Sequence, residues 1–218
     1  MRDYALERIE WTRVWREQCT TDKPRVLLIG DSIIDACKLE VQKNISDKGY
    51  AASSFMTAKD LNNPFYIKEL DLLLMQEDYA YKAVYLQFGG HNHQTREKAK
   101  SDYINLVKWL REKMPDTPII LSPFTPVTMG NGDADKHDTP VSVTVEFKEY
   151  NASVLNLRED IIELIANSKE EDNLHYFDAY ALMLENIRYQ KADGVHFLPE
   201  GSAILGAEIA KKLLSVLE

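Results

Sequence analysis

Short apolar runs alternate along this chain with longer segments in which apolar residues recur at helical spacing. The short runs predict strands at residues 25–29, 50–55, 83–88, 118–122 and 174–177. The helical spacing predicts helices at residues 3–18, from Ser32 to about 44, from Pro64, at 97–113, at 141–168, and from Pro199 to the C-terminus. Residues 123–140, with their prolines and glycines, are expected to form a long loop.

This alternation of strands and helices predicts an α/β fold in three layers, α/β/α, with a mostly parallel central sheet. At 218 residues, the whole chain, 1–218, is expected to form one domain, with the N-terminal segment 1–18 packed on it. In such sheets, ligand sites lie beyond the carboxyl ends of the strands. Polar residues that directly follow a strand are therefore the candidates for chemistry.

A serine follows the first predicted strand, and an Asp-x-x-His pair lies near the end of the chain. The strand leads into Gly30-Asp31-Ser32, and the pair belongs to Asp193-Gly194-Val195-His196. A serine hydroxyl needs a base to take its proton, a histidine serves as that base near neutral pH, and a carboxylate orients the histidine. Each motif also has an ordinary interpretation, as a helix cap in the first case and a turn in the second. Their occurrence together favours serine hydrolysis.

The segment after the strand at 83–88 is a candidate for stabilising a negatively charged oxygen. Gly89-Gly90-His91-Asn92 leaves the strand through two glycines, where backbone amides can come close to a ligand. It then presents an imidazole and a side-chain amide, both of which can donate hydrogen bonds. The alternative interpretation is a glycine-rich turn with polar surface residues.

Composition narrows the range of partners. The net charge is −9 and the isoelectric point about 5.1, so nucleic acid and anionic membranes, which require basic patches, are not expected as partners. Cys19 and Cys37 form no disulfide framework, and no apolar stretch reaches membrane-spanning length. No apolar signal run is present at the N-terminus, so the expected location is the cytoplasm. No cofactor is expected.

With these three motifs, the chain resembles the SGNH hydrolases, also called the GDSL-type esterase/lipase superfamily. The resemblance extends from the strand before Gly30 to the helix after His196. It implies the flavodoxin-like sheet of the SGNH hydrolase fold, with Ser32 as nucleophile, His196 as general base and Asp193 as the residue that orients His196. Asp31 and Val195, which neighbour these residues in sequence, are expected to contact the substrate.

The family's Gly-x-Asn-Asp block is altered in this chain. Aligned by the strand end, Gly89 takes the place of the glycine and His91 that of the asparagine. A shift of one residue instead matches Gly90 and Asn92. We favour His91 as the side-chain donor of the oxyanion hole, because the strand end sets the register, with Asn92 as the alternative.

Backbone amides are expected to complete the oxyanion hole. The resemblance implies the amide of Ser32 and that of Gly89 or Gly90. The family also uses the amide of a glycine between the first helix and Pro64. Ala58 is its expected counterpart here, since any residue except proline supplies a backbone N–H.

The resemblance implies a carboxylic ester hydrolase that uses no metal. The acidic chain has no evident lipid-facing helix, so a small ester or an O-acetylated carbohydrate is the expected substrate. One alternative is a metal-dependent phosphoesterase, since residues 30–35 resemble its Gly-Asp-x-x-Asp motif, with one residue more between the two aspartates, and His91 and His93 have metal-ligand spacing. That class also needs an Asp-x-His pair upstream of residues 30–35, which the sequence lacks. The other alternative is an inactive binding domain of the same fold.

Overall fold

The computed structural model describes residues 10–91, 94–130 and 146–218. Over these residues, strands and helices alternate along the chain. The strands are β1 (Thr12–Arg16), β2 (Arg25–Gly30), β3 (Ala51–Thr57), β4 (Tyr81–Phe88), β5 (Ile119–Pro123) and β6 (Leu174–Tyr176). The helices are α1 (Ser32–Ser46), α2 (Pro64–Gln76), α3 (Arg96–Lys113), α4 (Asn151–Ala166), α5 (Ala179–Glu185) and α6 (Pro199–Ser215).

The strands form one sheet in the order β1-β3-β2-β4-β5-β6. Every neighbouring pair is parallel except β1 and β3, which are antiparallel. Without β1, this is the flavodoxin-like order, in which the direction of strand addition reverses between the first and third parallel strands. Here these are β2 and β4, so the crevice beyond their carboxyl ends is the expected position of a site. The predicted fold class is confirmed.

Helices cover both faces of the sheet and bury two apolar clusters. On β2, Val26 and Leu28 pack into the cluster that includes residues of α1 and α6. Leu27 and Ile29 point the other way, into the cluster formed with α2, α3 and α4. All four side chains are fully buried. A strand that is covered on both faces reads as a continuous apolar run in the sequence, which is why β2 could be predicted.

The prediction of an N-terminal helix is wrong for the part that the structure describes. Residues 12–16 form the edge strand β1, whose residues pair from Thr12 with Thr57 to Arg16 with Ser53. Residues 3–9 lie outside the described residues. The prediction relied on the helical spacing of apolar residues that include Trp11 and Trp15, but a spacing of four puts two residues on one face of a strand as well as of a helix. Pairing with the edge of β3 then decided in favour of the strand.

The predicted helix at 141–168 is shorter than expected. It begins at Asn151 as α4, and Phe147 instead forms an antiparallel bridge with Thr128. Residues 141–145, like residues 131–140 of the predicted loop, lie outside the described residues. Helix α5 was not predicted, because its 7 residues are too few to display helical periodicity. No helix among the described residues is both long and apolar enough to cross a membrane.

Candidate active site

Ser32 is the first residue of α1, directly beyond the carboxyl end of β2. Gly30 allows the tight turn between strand and helix, because a Cβ atom there would lie 2.3 Å from Cγ1 of Ile34. Asp31 caps the helix, since its side chain accepts a hydrogen bond from the backbone N–H of Ile33 at 3.0 Å. Ser32 therefore stands at a helix N-terminus, where unpaired amides and the helix dipole favour negative charge.

Asp193 and His196 lie in one loop, which is closed by an antiparallel bridge between Gln190 and Phe197. Asp193 Oδ1 accepts the backbone N–H groups of Val195 and His196 at 2.8 and 2.9 Å. Its Oδ2 lies 2.7 Å from Nδ1 of the His196 ring. Partial burial raises the pKa of Asp193, but the hydrogen bonds from the His196 ring and from the two amides outweigh it and hold that pKa well below its ordinary value. The carboxylate is therefore ionised at neutral pH.

The structure brings Ser32, His196 and Asp193 together, although Ser32 and His196 are 164 residues apart in sequence. Nε2 of His196 lies 2.8 Å from Oγ of Ser32, on the side of the ring opposite Asp193. The His196 side chain is 39% exposed, so a substrate can reach it from solvent. A hydroxyl, an imidazole and a carboxylate that are hydrogen-bonded in this order have the geometry needed to remove a proton from the hydroxyl.

Asp31, one of the two predicted substrate contacts, is a buried carboxyl group. It is 5% exposed, one carboxylate oxygen caps α1, and the other lies against the α-carbon of Gly90. Burial raises the pKa of Asp31, while the nearby imidazoles of His91 and His196 act in the opposite direction. This carboxyl group joins the turn before Ser32 to the segment after β4, and its contact with substrate stays a prediction. Val195, the other predicted contact, is partly buried against the core on the α1 side.

The two glycines after β4 are both required by their surroundings. Gly89 has φ +129°, and a Cβ atom on Gly90 would lie 2.5 Å from Asp31 Oδ2 and 2.6 Å from the ring of Phe124. The hydroxyl of Tyr150 donates a hydrogen bond to the carbonyl oxygen of Gly89. The backbone of this segment is thus fixed beside the turn that carries the serine.

His91, the next residue, is close enough to Asp31 for its charge to lower the pKa of that carboxyl group. Asn92 and His93 lie outside the described residues. The choice between His91 and Asn92 as the oxyanion donor therefore stays a prediction.

Ala58 is not available as an oxyanion donor. Its backbone N–H donates to the carbonyl oxygen of Trp11 at 3.1 Å, just beyond the end of the β1–β3 pairing. The amide of Lys59 in turn donates to Oγ1 of Thr57 at 3.2 Å. The prediction of Ala58 is wrong, because the N-terminal segment runs along β3 and the carbonyl oxygen of Trp11 accepts this amide.

Asp35, the second acidic residue of the phosphoesterase-like motif, forms ion pairs with two basic side chains. One of its oxygens lies 2.7 Å from Nη1 of Arg13 and the other 2.5 Å from Nζ of Lys38. The described part of the chain contains no group of three or more His, Cys, Asp or Glu side chains that could hold a metal ion. The acidic residue of this motif thus has a structural role, in connecting β1 to α1.

Two buried polar residues that were not predicted from the sequence contact the loop of Asp193 and His196. Thr128 and Gln190 are both 0% exposed and hydrogen-bond to each other. Neither belongs to a motif, and their separation of 62 positions along the chain hides the contact. The one sequence signal was the position of Gln190 shortly before the Asp-x-x-His pair.

Comparison with known proteins assigns the chain to a family. The family model described as GDSL-like Lipase/Acylhydrolase matches residues 26–209. Among curated proteins, none matches the chain.

Solved structures share the fold at low sequence identity. An acetyl xylan esterase, AlAXEase, is 17% identical, with a TM-score of 0.59 over 89% of this chain and 100% of that chain. The C-terminal catalytic domain of peptidoglycan O-acetyltransferase A from Streptococcus pneumoniae is 20% identical, with a TM-score of 0.59 over 89% and 94%. A carbohydrate esterase of family 3 from Talaromyces cellulolyticus is 13% identical, with a TM-score of 0.59 over 89% and 98%.

At these identities, the likeness to solved structures establishes the fold alone. The family match is different, because it covers most of the chain, including the serine turn after β2 and the Asp-x-x-His loop. The resemblance inferred from the sequence is thereby confirmed, and with it the enzyme class, a carboxylic ester hydrolase. The chain belongs to the GDSL-like lipase/acylhydrolase family.

Proposed function

We propose that the protein hydrolyses carboxylic esters through an acyl-enzyme intermediate formed on Ser32. The observation that carries this proposal is the pair of contacts made by His196, 2.8 Å to Ser32 Oγ and 2.7 Å to Asp193 Oδ2. A serine hydroxyl is a weak nucleophile at neutral pH, and a positioned imidazole is the usual means of activating it. The carboxylate holds the ring in the tautomer with the proton on Nδ1, which leaves Nε2 free to accept the serine proton.

The steps follow from this geometry. Ser32 Oγ attacks the carbonyl carbon while His196 Nε2 takes the hydroxyl proton, and the carbonyl oxygen becomes an oxyanion. When the tetrahedral intermediate collapses, the bond to the alcohol oxygen breaks and His196 returns the proton to that oxygen. Water then attacks the acyl-Ser32 ester with the same imidazole as base, and the acid and free Ser32 are released.

The oxyanion would lie at the N-terminus of α1. Ser32 occupies the first helical position, where backbone N–H groups have no partner within the helix. The amide of Gly89 or Gly90 approaches from the neighbouring strand β4, which pairs with β2. We assign the remaining donor to His91, with Asn92 as the alternative. Removal of one such donor typically lowers kcat by about 10²- to 10³-fold.

We propose an O-acetylated carbohydrate as the substrate. The net charge of −9 disfavours anionic surfaces as targets. Several solved structures with this fold are of proteins named for acetyl transfer or removal on carbohydrates, an acetyl xylan esterase and a peptidoglycan O-acetyltransferase among them. A short acyl group on a sugar hydroxyl is the substrate class that these observations favour.

The proposal is tested by two measurements on the same protein. A fluorophosphonate probe should label Ser32, as located by peptide mass spectrometry, and the Ser32→Ala variant should not react. Acetate release from acetylated xylo-oligosaccharides and from p-nitrophenyl acetate should fall by about 10⁶-fold in kcat for Ser32→Ala, by comparison with a serine protease. A well-folded Ser32→Ala variant with near-normal turnover would overturn the mechanism. Labelling and turnover of p-nitrophenyl acetate without turnover of any acetylated sugar would overturn only the substrate class.

The metal-dependent alternative predicts a different response. Since the carboxylate of Asp35 is bound by Arg13 and Lys38, we expect EDTA to leave ester hydrolysis unchanged. Inhibition by EDTA that Zn²⁺ or Mn²⁺ reverses would favour a phosphoesterase, and hydrolysis of bis(p-nitrophenyl) phosphate would be the activity to measure.

A further inference from the structure

The loop that carries Asp193 and His196 lies against the segment that leaves β5. The backbone N–H of Thr128 donates to the carbonyl oxygen of Gly194 at 2.8 Å. On the other side of this segment, the N–H groups of Met129 and Lys148 pair it with residues 146–148 at 2.7 and 3.1 Å. Three segments are thus joined by backbone hydrogen bonds outside the main sheet. The segment with Thr128 lies between the loop and residues 146–148.

A buried glutamine connects the base of the loop to the same segment. Gln190 forms the antiparallel bridge with Phe197 that closes the loop. Its side-chain Nε2 donates to the carbonyl oxygen of Pro126 at 2.8 Å, and its Oε1 accepts the hydroxyl of Thr128 at 2.5 Å. Both ends of the amide are therefore occupied by one short stretch of chain, and the side chain is fully buried.

Close packing leaves the loop little freedom to shift on this segment. Gly194 has φ +75°, and a Cβ atom there would lie 2.1 Å from the carbonyl oxygen of Thr128. A Cβ atom on Gly130 would lie 2.0 Å from the carbonyl oxygen of Ala192. In addition, Nζ of Lys148 donates to the carbonyl oxygen of Asp193 at 3.0 Å. Because these two backbones are in contact with no side chain between them, each limits how far the other can shift.

We propose that Gln190 and Thr128 are positioning residues for the reaction, which set the distance between His196 and Ser32. Ser32 is the first residue of α1, and His196 belongs to the loop. The 2.8 Å contact between them therefore depends on the position of the loop relative to the sheet. The hydrogen bonds between the Gln190 side chain and the segment after β5 hold the loop in that position. This inference rests on the proposed function, because it assigns the two residues a role in the same proton transfer.

The location of these hydrogen bonds favours a positioning role over a contribution to stability alone. Gln190 is six residues before His196 and is itself held to the exit of β5, the strand two places from β2 in the sheet. A displacement of about 1 Å at a reacting group can lower a rate by about 10²-fold, even when the fold is retained. Loss of these hydrogen bonds should therefore lower kcat more than it affects KM.

The experiment compares two buried glutamines in the full chain. Gln190→Met removes both hydrogen bonds at nearly constant volume. The matched control is Gln42→Met: Gln42 is 7% exposed and accepts the N–H of Ala52 at 2.7 Å, ten residues along α1 from Ser32. A second pair is Thr128→Val, which removes the hydroxyl, and Thr128→Ser, which keeps it. For each protein we would measure Tm, kcat and KM for p-nitrophenyl acetate, and the ¹H resonance of the His196 Nδ1 proton.

Positioning predicts that Gln190→Met and Gln42→Met lower Tm to a similar extent, while only Gln190→Met lowers kcat, by roughly 10- to 100-fold. Thr128→Val should also lower kcat, and Thr128→Ser should recover most of it. The Nδ1 proton resonance should shift or broaden in Gln190→Met and Thr128→Val alone. Equal kcat in the two glutamine variants, or equal kcat in Thr128→Val and Thr128→Ser, would show that the bonds are structural only.

Two further outcomes remain distinguishable. If Gln190→Met does not fold, the threonine pair decides the question. If the wild-type protein hydrolyses no ester and its Ser32 is not labelled, the proposed function fails. The Nδ1 resonance and hydrogen exchange at the Val195 and His196 amides then still test whether Gln190 sets the loop's position. Unchanged resonance and exchange in Gln190→Met would overturn that as well.

Discussion

The carboxylate of Asp31 packs directly against the α-carbon of Gly90, so that a Cβ atom on Gly90 would lie only 2.5 Å from Oδ2. Asp31 precedes the serine and Gly90 follows β4, so this contact joins the two segments from which the nucleophile and the proposed oxyanion donors come. Burial of Asp31 leaves no room for a side chain at position 90. A glycine is required there by packing and not by a left-handed backbone.

Gly90→Ala should therefore disrupt the site as well as destabilise the protein. The added methyl group would clash with Asp31 and with the ring of Phe124, and clashes of this kind typically cost about 1–3 kcal/mol in unfolding free energy. We expect a lower Tm together with a fall in kcat for p-nitrophenyl acetate.

The control for this variant is Gly49→Ala. Gly49 has φ +87°, so alanine is strained there as well, but its Cβ atom would meet nothing within 4 Å and the residue is remote from Ser32 in the α1–β3 turn. The Tm of Gly49→Ala should fall, while its kcat should stay at the wild-type value. If Gly90→Ala retains full kcat, the contact with Asp31 does not shape the site.

Asp193→Asn should lower activity, though less than His196→Ala. Asparagine can still accept the two backbone N–H groups through its oxygen, but it presents an N–H to the ring nitrogen and so favours the wrong tautomer of His196. By comparison with a serine protease, the expected losses in kcat are about 10⁴-fold for the aspartate and about 10⁶-fold for the histidine. Steady-state kinetics would measure both. An unchanged kcat in Asp193→Asn would mean that a group other than this carboxylate orients the ring.

Asp193 should also contribute to the pH dependence of stability. Its pKa is lower in the folded protein than in the unfolded chain, where an aspartate titrates at about 3.9. As the pH falls, the unfolded chain takes up this proton first, so the stabilisation is complete above the unfolded pKa and is lost as the pH falls through the folded one. The difference in Tm between wild type and Asp193→Asn should therefore have its full size above about pH 5 and shrink toward pH 3. A difference that grows in acid would contradict this sign.

The sequence predicted those parts of the molecule that depend on local pattern. The apolar run Val26–Ile29 and the turn that follows it placed Ser32, and the short Asp193-x-x-His196 spacing placed a pair that folds within one loop. Where tertiary pairing decides, the predictions failed. Trp11 and Trp15 fit a strand as well as a helix, and only the edge of β3 decides between them.

The pairing of the N-terminal segment with β3 also explains why the prediction of Ala58 failed. Once residues 12–16 pair with β3, the carbonyl oxygen of Trp11 takes the amide of Ala58 that was expected to face the substrate. Gln190 and Thr128 could not be predicted either, because a contact between two uncharged polar residues 62 apart has no local pattern. Such residues are found only when the path of the chain is known.

The last prediction concerns the side-chain donor of the oxyanion hole. We expect His91→Ala to lower kcat by roughly 10²- to 10³-fold, the usual effect of losing one such donor, and Asn92→Ala to have a much smaller effect. His91 directly follows the rigid Gly89-Gly90 backbone, and its proximity to Asp31 places its ring near the serine turn. A neutral imidazole donates from one nitrogen only, and protonation adds a charge and a second donor. If His91 is the donor, the pH profile of kcat/KM should therefore depend on two histidines, and His91→Ala should change its acid limb. The opposite ranking of the two variants, with an acid limb that His91→Ala leaves unchanged, would assign the role to Asn92.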